Sequence, residues 1–138
     1  MSIRVRPPET LTIPISRGDT ITVKKHLTAG EQLEMFERMR RDKADGSVSV
    51  DGMKVGLSRI TTYLLDWTFQ DAGGKTMQIA RQPLASVESV LRQLPPEDFA
   101  ELVTVISAHD EAMAKEREAE KNDPATASAS IPTSPSAA

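Results

Sequence analysis

Apolar residues along this chain recur with two periods, one of two residues and one between three and four. Leu11, Ile13 and Ile15 alternate with polar neighbours, as do Ile21 and Val23, which is the period of a strand with one buried face. Ser16-Arg17-Gly18-Asp19 separates the two runs and predicts a hairpin turn, with Gly18 free to take positive φ. Pro14 assigns the first run to a sheet edge, because proline has no N–H to give to a ladder.

From Leu27 the period lengthens. Thr28-Ala29-Gly30-Glu31 is a capping box: the threonine hydroxyl accepts from the backbone of Glu31, whose carboxylate reaches back to Thr28. Leu27 stands where a hydrophobic staple belongs. Ala29, Leu33 and Phe36 then form the stripe of a helix over 29–41, with Met35 and Met39 on its flank. Arg38, Arg40, Arg41 and Lys43 supply cations near the negative pole of that helix. Turn signals at Asp45-Gly46 and Asp51-Gly52 bracket a loop in which Val48 and Val50 suggest a short extended piece.

The most apolar stretch follows. Leu57, Ile60, Leu64 and Trp67, joined by Tyr63, predict a central core helix over 55–67. Thr68–Gln70 and Thr76–Ile79 flank Asp71-Ala72-Gly73-Gly74-Lys75, the pattern of a second hairpin. Pro83 suits the first turn of a third helix with Val87, Val90, Leu91 and Leu94 on one side. Pro95-Pro96 ends it and opens a terminal helix, whose first turn carries Glu97 and Asp98 at the positive pole.

That last helix outruns its apolar stripe. Phe99, Leu102, Val103, Ile106 and Met113 share a face, but Ala114 to Lys121 holds nothing apolar larger than alanine. At 1.5 Å per residue it extends about 39 Å, more than a domain of this size covers. The expected architecture is α+β: a small, mostly helical domain of about four helices with two short hairpins, spanning 9–121. Residues 1–8 are expected to be flexible, and 122–138, rich in Ala, Ser, Thr and Pro, to form a disordered tail.

Charge and composition narrow the function. A net charge of −3 gives no pull toward nucleic acid, and one Trp, one Tyr and three Phe are too few for a base-stacking platform. The absence of cysteine excludes disulfides and thiolate metal sites. No apolar run reaches the length of a membrane span, and the first residues lack the apolar stretch of a signal peptide.

Catalytic patterns are missing as well. His26 and His109 are the two histidines, and His109-Asp110-Glu111 point in different directions on a helix. Gly73-Gly74-Lys75 lacks the spacing of a phosphate loop, and no nucleophile elbow or paired-histidine metal motif occurs. Arg17-Gly18-Asp19 matches an integrin-recognition tripeptide, a length at which matches arise by chance. The expectation is a binding protein without catalytic, cofactor or metal residues.

Methionine points to partners. Met35, Met39, Met53, Met77 and Met113 stand in a chain poor in aromatics, and thioethers repack easily against varied apolar surfaces. Met35, Met39 and Met113, at stripe edges, and Lys115 and Arg117, on the overhanging helix, are the candidate partner-binding residues.

The segment Ile21–Gln32, the stretch Val55–Phe69 with Asp71 and Gly74-Lys75 after it, and the charged helix running into a low-complexity tail resemble the tail assembly chaperones of long-tailed bacteriophages. The similarity spans roughly 20 to 122. It implies a late, non-virion helper in the cytoplasm of the bacterial host. Such a helper coats the tape-measure protein, keeps it soluble and helps recruit tail-tube subunits. It also implies a longer frameshifted form, and Glu120-Lys121-Asn122 is compatible with a slippery run of adenines ending in cytosine. A homo-oligomer is left open. The alternative is a small structural component of the tail or head–tail connector that stays in the particle.

Overall fold

The computed structural model describes residues 7–42, 48–50 and 52–121. The expected C-terminal tail, and the expected flexible N-terminus apart from Pro7 and Pro8, lie outside the described residues. The chain divides into two compact units, Met1–Ile106 and Ser107–Ala138.

The first unit is built on an antiparallel sheet. Thr10–Pro14 (β1) pairs with Thr20–Lys24 (β2) across a single 3-10 turn at Ser16–Gly18. Ile15 N–H donates to the Asp19 carbonyl at 2.9 Å and closes the turn. Gly18 takes the expected positive φ of 77°, and Arg17 beside it also enters the left-handed region at 59°. Backbone bonds at Lys25–Glu9 and Ile15–Asp19 fix which positions of β1 face β2. By that alternation Pro14 falls where its nitrogen points away from the ladder, so the edge strand loses no hydrogen bond.

A third strand, Leu64–Trp67 (β5), pairs with the other side of β2, giving the order β1-β2-β5. Leu64 stands opposite Val23 and Trp67 opposite Ile21, and a register shift leaves Leu65 as an extra residue between them. The bulge turns two residues three apart toward the same face. Ile21 and Val23 are fully buried there, with Trp67 and Leu64 nearly so. The helix expected over 55–67 therefore ends at Tyr63, and its last four residues are strand.

Ala29–Met39 (α1) begins as the sequence predicts. Glu31 N–H donates to Thr28 Oγ1 at 3.2 Å, and Thr28 N–H to Glu31 Oε1 at 2.9 Å. The helix stops short of residue 41. Arg40–Asp42 (β3) instead pairs with Val48–Val50 (β4), so Arg38 is the basic residue left in the last helical turn.

Gly52–Tyr63 (α2), Leu84–Arg92 (α3) and the start of Pro96–Lys121 (α4) complete the unit. Ile60, Tyr63, Leu91, Leu102 and Ile106 join Met35, Met39 and the sheet residues in one apolar cluster. Gly56 lets α2 approach α4 closely, for a Cβ there would meet Val103 Cγ2 at 3.0 Å. Ser58 Oγ donates to the Met35 carbonyl at 2.8 Å and fastens α2 to α1. The second expected hairpin reduces to one bridge, Gln70–Thr76, around a turn held by Asp71. Trp67 stacks on Phe69 at 4.6 Å and donates to the Met77 carbonyl at 2.6 Å, which accounts for the extended chain here without a ladder.

Four helices, a three-stranded sheet and a two-stranded sheet are present among the described residues. The class is α+β and mostly helical.

Candidate partner-binding interface

Helix α1 carries both buried and exposed large apolar side chains. Met35 and Met39, one turn apart, are 2% and 6% exposed within the core cluster. Leu33 and Phe36 are 69% and 52% exposed. Leu33 precedes Met35 by two residues, about 200° around the helix, and so looks the other way. Leu33 and Phe36 are three residues apart and neighbours on the outer surface.

This arrangement corrects the sequence expectation. The stripe Ala29–Leu33–Phe36 was expected to face the core with Met35 and Met39 at its edge. The inner side is set instead by contacts with α2, where Ser58 holds the Met35 carbonyl and Arg38 donates to the Thr62 hydroxyl. Met35 and Met39 are therefore packing residues, not surface ones. A signal was present: Leu33 and Met35, two residues and about 200° apart, cannot both lie on one buried stripe.

Polar residues frame the outer side. Glu34 and Glu37 lie beside Leu33 and Phe36, and Glu37 faces Arg40 at 3.4 Å with both partners open to solvent. Glu31 belongs to the capping box and to an ion pair with Lys24. Burial alone would raise the Glu31 carboxyl, but the Lys24 ammonium and the Thr28 donors outweigh it and hold it below the ordinary carboxylate range.

In the unit beginning at Ser107, Met113 is buried at 9% exposure, which corrects its expected place at an open stripe edge. Lys115 and Arg117 are exposed, and Lys115 faces Glu111 at 3.8 Å one turn back.

A cleft of about 370 Å³ opens beside the hairpin turn, lined by Phe69, Met77, Leu94, Asp19, Asp98 and Glu101 among others. Its carboxylates are engaged in holding the turn. Glu101 accepts from Ser16 N–H at 3.0 Å and Ser16 Oγ at 2.7 Å, Asp98 faces Arg17 at 3.5 Å, and Asp19 accepts from Thr68 Oγ1 at 2.8 Å. The two Ser16 bonds lower the Glu101 pKa from the ordinary carboxylate value. The tripeptide Arg17-Gly18-Asp19 is thus built into the fold through its charged ends. His26 is half-buried after β2 and His109 buried on α4.

Among the described residues no helix is long and apolar enough to cross a membrane, and no group of three His, Asp or Glu is placed to hold a metal ion. No family model, curated protein or solved structure matches this chain. The surface that demands an explanation is the outer side of α1.

Proposed function

We propose that this chain is a tail assembly chaperone of a long-tailed bacteriophage. In this reading it binds the tape-measure protein in the host cytoplasm, keeps it soluble while tail-tube subunits assemble, and is left out of the finished particle. The observation that carries the reading is the pair Leu33 and Phe36, held outward on a helix whose other side is anchored in the core. A long helical client exposes apolar stripes that aggregate in water, and a rigid helix presenting apolar residues one turn apart covers such a stripe reversibly. The protein acts by shielding, and its polar clusters serve to hold its own turns.

Co-expression tests the proposal. A tape-measure protein co-expressed with the intact chain should remain soluble and should precipitate without it. Stoichiometric recovery of the chain in purified particles, with no effect on tape-measure solubility, would replace the chaperone by the structural tail component.

A further inference from the structure

We infer that the segment received by α1 is an amphipathic helix carrying lysine or arginine beside its apolar seam. The inference rests on the proposed function for the client's identity and adds the client's chemistry. Ala29, Leu33 and Phe36 follow one another on α1 at spacings of four and three, the spacing with which one helix packs along another. The occupant is therefore a helix with apolar residues at the same spacing, not an extended strand or a flat surface.

Charge selects among helices. Glu37 and Glu34 fall on one flank of this seam, about 40° and 100° around from Leu33. Both are exposed, and Glu34 has no ion-pair partner among the described residues. Glu37 meets Arg40 only at 3.4 Å, with side chains 70% and 44% exposed, a loose contact that an incoming cation exchanges at little cost. A helix with lysine or arginine alongside its seam sets its cations against this flank.

A second copy of this chain does not fit. Antiparallel pairing of α1 with itself places the Glu34–Glu37 flank against the same acidic flank. The outward apolar surface is also essentially two side chains, whereas a stable dimer buries about 800 Å² per partner. A small contact suits a long client that offers the same seam repeatedly, each stretch receiving one chaperone molecule.

Two labelled synthetic helical peptides with identical leucine seams test this, one flanked by lysines and one by glutamates. Anisotropy titration against the intact protein should show the lysine peptide binding about fivefold tighter at low salt, as two exposed ion pairs allow. High salt should erase the difference, and so should E34Q/E37Q, with the unfolding midpoint unchanged. Equal binding, a preference for the glutamate peptide, or a preference that survives E34Q/E37Q would overturn the inference while leaving α1 as the docking side. Failure of both peptides to bind would remove α1 as a docking side and, with it, the observation that carries the proposed function.

Discussion

Leu33 and Met35 stand two residues apart on α1 and face opposite ways, one 69% exposed and the other 2%. The helix is anchored by its methionines and offers its leucine and phenylalanine. Substitutions at the two positions should therefore separate stability from binding.

Met35→Ala should destabilise the fold by about 2–5 kcal/mol, the range for truncating a buried side chain of this size. Leu33→Ala should change stability by no more than about 0.5 kcal/mol, as for an exposed site without special contacts. Urea unfolding of the two variants measures both, and equal losses would contradict the orientation of α1.

Gly56→Ala tests the approach of α2 to α4. Alanine improves helix propensity by about 1 kcal/mol. Its Cβ would sit 3.0 Å from Val103 Cγ2, however, and a valine in a helix has little freedom to rotate away. Overpacking costs about 1–3 kcal/mol and should win, leaving a net loss near 1 kcal/mol. A double-mutant cycle with Val103→Ala should recover most of that strain as a coupling term.

The Glu31 carboxyl is held below its ordinary range, so the stability it contributes is complete above the unfolded-state pKa and is lost as pH falls through the lower folded-state value. Lys24→Met should move the Glu31 midpoint upward in a side-chain NMR titration. Thr28→Ala should cost about 1 kcal/mol by removing the helix cap.

Local chemistry made much of this fold readable. The capping box at Thr28–Glu31, Pro14 at the sheet edge and Pro96 at the start of α4 each act through neighbouring backbone, so their consequences appear in the sequence. Leu64 and Trp67 carry a helical spacing for a specific reason. A bulge at Leu65 gives a strand the three-residue spacing that ordinarily marks a helix face. Inner and outer sides of α1 were exchanged because Leu33 and Phe36 form the cleaner stripe. Which stripe turns inward depends on Ser58 and Thr62, distant in sequence. The candidate surface was thus legible in the two-residue step from Leu33 to Met35, which one stripe cannot hold, but not in its direction.

Calorimetric binding of a tape-measure segment to Leu33→Ser/Phe36→Ser is the most direct measurement. Each side chain is worth about 1.5–3 kcal/mol when fully buried, so the doubly substituted protein should bind at least about tenfold more weakly. Its unfolding midpoint should match that of the unsubstituted chain. Undiminished affinity in the folded double variant would contradict the claim that this outward pair holds the client.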